Sequence, residues 1–226
     1  MTTPRPHIYI LFLLSLIFYG FPKVISQEKS QFPDTITIKH KYYTTTFSKS
    51  KHIPIIVKYW ITKAMLSCQQ RIKRTNRFKP DPLLPDYTNL GNDYHKSGYY
   101  RGHNMAAADC GCDLIGMAES FYYSNICPQT PSLNRGRWKW LEQYTRILTQ
   151  RYDSVLVWCG AVTTSGKYIG TVAVPDYCWK IIYIKRSGAV EAYSFKNDNA
   201  HFKTLNTCRV SLDSVQNLSG FIFTRH

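Results

Sequence analysis

The chain predicts an α+β fold, a sheet flanked by at least one helix, on three observations. Short segments rich in β-branched and aromatic residues recur along it, separated by turn residues. One segment repeats its apolar residues at helical spacing. The 226 residues, 44% hydrophobic and 15% aromatic, are enough for one sizeable core and unlike a disordered tail.

Residues 1–26 read as a targeting segment, with basic Arg5, an apolar run from Ile8 to Tyr19 broken only by Ser15, and Val24-Ile25-Ser26 before an expected cut ahead of Gln27. The run is short for a bilayer span. It predicts export, giving a secreted, extracellular or periplasmic protein with no stable membrane insertion. An uncleaved anchor and a mitochondrial presequence are the rivals, the latter disfavoured because the segment is neither Arg-rich nor amphipathic. Residues 27–41, polar and rich in Thr, Ser and Lys, predict an extended lead-in, and residues 42–226 a single domain.

Within that domain, Ile53 to Thr62 is rich in β-branched and aromatic residues and reads as a strand. Lys79 to Ser97 carries Pro80, Pro82, Pro85 and Asn89-Leu90-Gly91, so it predicts a long surface loop. Long ordered loops are uncommon unless functional. The helix is predicted over Leu133 to Gln150, where Trp138, Leu141, Thr145 and Leu148 build a core-facing stripe. Residues 154–160, 168–174, 178–185 and 190–195 read as further strands, with turns at Ser165-Gly166, Pro175-Asp176 and Ser187-Gly188.

Lys and Arg outnumber Asp and Glu by 29 to 14, a formal charge of +15. A surplus of this size attracts polyanions, nucleic acid among them, and equally serves solubility or adhesion to anionic surfaces. Clustering of Arg71, Lys73, Arg74, Arg77 and Lys79 favours nucleic acid. Seven cysteines in an exported chain permit disulfides, and the odd number leaves at least one thiol free or paired between chains. A zinc site at Cys110-Gly111-Cys112 has no second pair at ligand spacing.

The most informative passage is Tyr99-Tyr100-Arg101-Gly102-His103-Asn104, followed by Ser124-Asn125-Ile126-Cys127-Pro128-Gln129 and by Asn134, Trp138, Glu142 and Arg146. An imidazole can take a proton from water near neutral pH, an amide oxygen and a carboxylate can hold a hydrated cation, and guanidinium groups can clamp phosphate. These segments resemble the DNA/RNA non-specific endonuclease family, ββα-metal (His-Me finger) nucleases whose motif is Asp-Arg-Gly-His followed by an Asn-bearing helix, and the resemblance implies an α+β fold with a central, mainly antiparallel sheet flanked by helices. The resemblance runs from about Tyr42 to Phe223 and includes His52 to Trp60, Phe78-Lys79-Pro80-Asp81-Pro82, and Val174-Pro175 with Trp179-Lys180. Tyr100 departs from it, standing where the motif has Asp.

The resemblance implies a magnesium-dependent endonuclease, with manganese or another divalent cation also accepted, cutting DNA and RNA with little sequence preference and leaving 5′-phosphate ends. It further implies a possible homodimer. His103 is expected as general base and Asn134 as the direct metal ligand, with Glu142 orienting metal-bound water. Arg101 and Arg146 are expected on phosphate. Substrate contact is expected from Arg77, or from Arg74 as the alternative match, with Asn125 and Gln129 bracing the site through their amides or touching substrate. Against these stand plainer roles: a structural histidine, Asn134 as a helix N-cap, and Glu142 merely paired with Arg146. A catalytically silent binder of polyanions, suggested by Tyr100, and a zinc nuclease built on His95 complete the alternatives.

Overall fold

The computed structural model describes residues 34–200 and 204–223, and the targeting segment expected over 1–26 lies outside them. In chain order the strands are β1 (Thr35–Lys39), β2 (Tyr43–Ser48), β3 (Ile53–Thr62), β4 (Tyr100–His103), β5 (Ile126–Gln129), β6 (Ser154–Val162), β7 (Tyr168–Ile169), β8 (Val172–Ala173), β9 (Tyr177–Ile184), β10 (Ala189–Lys196) and β11 (Arg209–Val210). The helices are α1 (Lys63–Leu66), α2 (Leu114–Glu119), α3 (Pro131–Leu133), α4 (Lys139–Tyr152) and α5 (Leu212–Ser219). A seven-stranded sheet runs β1-β2-β3-β6-β9-β10-β11, every neighbouring pair antiparallel. The ribbons β4-β5 and β7-β8 stand apart from it.

The α+β expectation holds, with α4 packed against β6, β3 and β9. Its apolar stripe is the reason: Trp138, Leu141, Thr145 and Leu148 are all buried, and Leu141 and Leu148 join Val155, Val157, Cys159, Ile182 and Ile184 in one core. Each such side chain contributes roughly 1.5–3 kcal/mol on full burial. On the other face, Trp158 and Trp179 meet Phe223 edge-on at 5.4 and 5.7 Å. Covered on both sides, β6 and β9 are buried along almost their whole length.

Three local expectations change. The lead-in contributes a strand, because alternating Thr35, Thr37 and Lys39 with Ile36 and Ile38 suits the sheet edge, and β1 pairs with β2 from Thr35↔Ser48 to Lys39↔Thr44. Residues 168–174 form two short strands and not one, since Gly170, at φ +54°, reverses the chain. The helix starts two residues early, at Pro131, because the Thr130 side chain caps the Leu133 amide and Pro131 takes the first helical position, where its missing N–H costs nothing.

Candidate active site

β4 and β5 pair from Tyr100↔Gln129 to His103↔Ile126, and the helical segment begins directly after β5, so strand, strand and helix form one unit. Between Asn134 and Trp138 this segment widens to a π-helical turn, with Gly136 off the helical path at φ −102° and ψ −108°. The Trp138 indole donates to the His103 carbonyl at 2.9 Å and so fastens the helix to the end of β4.

His103 is buried, its ring 5.0 Å from Phe121 and 5.4 Å from Phe78. Burial, then the Arg74 charge, brings its pKa down to about 3, while a hydrogen bond to the Arg101 backbone works the other way. Nε2 has no hydrogen-bond partner, so the backbone bond belongs to Nδ1 and fixes the tautomer with the lone pair on Nε2. The imidazole is therefore neutral, with its Nε2 lone pair unshared.

Asn134 is half-buried, and its Nδ2 donates to Gln129 Oε1 at 2.8 Å. That bond fixes the amide orientation and leaves Oδ1 as the acceptor. Thr130, not Asn134, caps the helix, so the cap competes with no ligand role here. Gln129 is fully buried between Asn134 and Gly102, where any Cβ would overlap its side chain. Among the described residues no three His, Cys, Asp or Glu side chains converge as a metal site. The donors present thus suit a hard cation that keeps most of its water and takes one amide oxygen, as magnesium does.

Glu142 is half-buried and carries no ion pair with Arg146. Burial pushes its pKa up to about 7, Asp109 adds to the rise, and Lys180, Arg146 and Arg74 oppose it. Arg146 instead binds buried Asp109, Nη1 to Oδ1 at 2.8 Å, which removes the plainer alternative of a Glu142–Arg146 pair: the short Asp109 side chain offers a dry partner on the neighbouring segment. Arg101 is similarly engaged. Its Nε donates to the Tyr123 hydroxyl at 3.0 Å and its Nη2 to the Gly91 carbonyl at 3.1 Å, with the rings of Phe78 and Tyr94 each 5.3 Å away. The expected phosphate clamp is thus committed to holding the 79–97 loop.

That loop is anchored at its start, where buried Asp81 accepts from His40 Nε2 at 2.8 Å and from the Ser124 hydroxyl. The basic segment before it is strapped to the β4–β5 connection by the Cys68–Cys112 disulfide, by Arg71 on the Ala108 carbonyl and by the Ile72 amide on the Gly111 carbonyl. Both candidate arginines lie in this strapped segment and both are exposed. Arg74 lies over Phe121 at 5.1 Å and acts electrostatically on both His103 and Glu142, whereas Arg77 is not among the charges acting on either. Arg74, and not the Arg77 preferred from the sequence, is thus the arginine beside the buried imidazole.

Asn125 is corrected as a substrate contact. It is wholly buried, with Oδ1 on the Met105 amide and Nδ2 on the Met105 and Ser120 carbonyls, each at 2.9 Å. Gln129 is corrected likewise, since it is spent on Asn134 and on Cys178. Cys112 sits in the disulfide and Cys110 is a free buried thiol, which removes the Cys110-Gly111-Cys112 zinc pair. His95 is exposed in the loop.

Two charged residues at the site carried no role in the sequence. Asp109 is 1% exposed and Lys180 0%. Lys180 Nζ lies 4.4 Å over the Trp138 ring without a hydrogen-bond partner. A lysine within the otherwise apolar run Cys178-Trp179-Lys180-Ile181-Ile182 was the visible signal; Asp109 offered none.

The chain is 33% identical over 222 residues to the human protein Nuclease EXOG, mitochondrial, covering 88% of this chain and 60% of that one. It is 32% identical over 169 residues to human Endonuclease G, mitochondrial, covering 67% and 57%, and 27% identical over 228 residues to the Mitochondrial nuclease of Saccharomyces cerevisiae, covering 89% and 67%. The chain spans about 60% of the length of the EXOG relatives it matches. A crystal structure of an EndoG/EndoGI complex superposes with a TM-score of 0.73 at 28% identity, over 83% of this chain and 84% of the other. The mitochondrial names of these relatives overturn the expectation of a secreted protein. A sequence profile of DNA/RNA non-specific endonucleases matches residues 22–226, and with this fold and these relatives the chain belongs to that family.

Proposed function

We propose that the chain is a metal-dependent endonuclease hydrolysing phosphodiester bonds of DNA and RNA with little sequence preference. The observation that carries the reading is the neutral, buried His103 with an unpartnered Nε2, on the hairpin that Gln129 links to Asn134. His103 Nε2 takes the proton of the attacking water. Asn134 Oδ1 would hold the cation, and Glu142 would orient water beside it. The family is one of divalent-metal-dependent nucleases, and we assign magnesium on the donor set. When bound, the cation supplies charge neutralisation at the scissile phosphate and the leaving oxygen. Arg74 adds positive charge beside the base, and Arg146, steadied by Asp109, adds more. Backbone recognition of this kind positions a substrate without reading bases. The products would carry 5′-phosphate ends, and the working unit would be a homodimer, both following from the family resemblance.

The test is incubation of plasmid DNA and of RNA with the protein, with and without EDTA, beside His103→Ala. Cutting that EDTA and the substitution each abolish is expected. Undiminished cutting by His103→Ala would refute the base, and binding without any cutting would favour a silent polyanion-binding protein. We further place the protein in mitochondria, on the names of its relatives; fractionation that finds it elsewhere would remove that placement.

A further inference from the structure

Tyr100, where the family motif carries Asp, lies on the face of β4 opposite to Arg101, so an acid there would point away from the Arg101 guanidinium. Tyr100 meets Arg135 instead, with the guanidinium 4.4 Å from its ring centroid. Arg135 is exposed and immediately follows Asn134. Among the described residues no carboxylate forms an ion pair with it. Beside it, the off-helix backbone at Gly136, with nothing within 4 Å of where a Cβ would stand, opens a cleft of about 490 Å³ lined by Pro131, Ser132, Arg135, Gly136 and Asn199.

A guanidinium resting on an aromatic ring is held as a plane, with one face on the ring and the other available. Nucleobases stack on such arginine and aromatic planes, and every base offers the same kind of face. A base inside a duplex has both faces covered by its neighbours, so only an unpaired base can use the platform. We propose that Tyr100 and Arg135 form a stacking platform for an unpaired nucleobase next to the scissile phosphodiester, which gives the protein a preference for single-stranded over duplex nucleic acid. The inference rests on the reading of Asn134 and His103 as the cutting site. An Asp at position 100 would turn Arg135 into half of an ion pair and leave no ring to order it.

Binding in EDTA, where nothing is cut, tests the platform directly. Fluorescence anisotropy would follow the full chain with a single-stranded 12-mer, the same strand with one base replaced by an abasic unit at successive positions, and a hairpin duplex. Tyr100→Asp and Arg135→Lys should each weaken single-strand binding about tenfold, and leave duplex binding within about twofold. Removal of one particular base should cost the wild type the same factor and cost either variant nothing further. Arg135→Lys keeps the charge at an exposed position, so folding is not at stake. Equal losses on single strand and duplex, or losses that persist whichever base is missing, would mean a phosphate contact and overturn the proposal. Because no cleavage is read, failure of the nuclease reading would show separately, in the His103→Ala and EDTA experiment.

Discussion

The depressed pKa of His103 has a measurable consequence for stability. Folded, the imidazole protonates near 3; unfolded, it returns to the ordinary 6.5. The unfolded chain therefore binds the extra proton first, and stability is present above pH 6.5 and lost as pH falls below it. At pH 5 the loss amounts to about 2 kcal/mol, at about 1.4 kcal/mol for each pH unit below 6.5. The residue is only 6% exposed, so solvent screening takes little from this figure. Glu142 works with the opposite sign, because its folded pKa of about 7 lies above the ordinary 4.5 and its contribution grows as pH falls between them. The two partly cancel in the wild type. Comparison with His103→Gln isolates the histidine: urea unfolding in EDTA at pH 7.5 and pH 5.0 should show the wild type losing about 2 kcal/mol more than the variant. Equal losses in the two proteins would refute a neutral, desolvated imidazole.

Arg146→Met should cost about 3 kcal/mol by urea unfolding, because it leaves Asp109 charged and dry, and Arg146→Lys should recover part of it; an unchanged midpoint would count against the buried pair. Lys180→Met should leave the melting temperature unchanged or raised, since the amine is buried with no hydrogen bond, yet slow cutting by removing a cation that acts on Glu142; a fall in melting temperature with full activity would reverse that assignment. Gly102→Ala should destabilise by about 1–3 kcal/mol and impair cutting, because the added methyl overlaps Gln129, which orients Asn134; a fully active variant of unchanged melting temperature would show that Gln129 moves freely.

What the sequence made legible was whatever depends on local pattern. Ile53–Thr62 emerged with its observed bounds, and α4 emerged from Trp138, Leu141, Thr145 and Leu148, because strand propensity and helical periodicity act within a few residues. β4 and β5 carried no such pattern: each has four residues, and Gly102 and Pro128 weaken the strand signal, so the hairpin is made by tertiary packing. His103 and Asn134 were visible through the family motif, whereas the choice of Arg74 over Arg77 needed the position of Arg74 beside Phe121 and His103, which no spacing reveals. Asp109 and Lys180 were missed for the same reason, since their partners lie tens of residues away in sequence.

The charges around the base also explain why the site tolerates such costly burial. Arg74, Arg146 and Lys180 all act on Glu142, and only Asp109 adds to its negative charge. Three cations against two carboxylates, one of them titrating near neutrality, leave the neighbourhood of Glu142 positive. Burial first, and the Arg74 charge second, hold the imidazole neutral, and the same Arg74 charge draws in a phosphodiester. Desolvation strengthens both effects, because the cations are screened less by water where the protein covers them. A buried lysine without a hydrogen bond is therefore intelligible as part of the field and not of the packing: the core beneath α4 would accept a methionine there, but the site would lose a charge that faces Glu142.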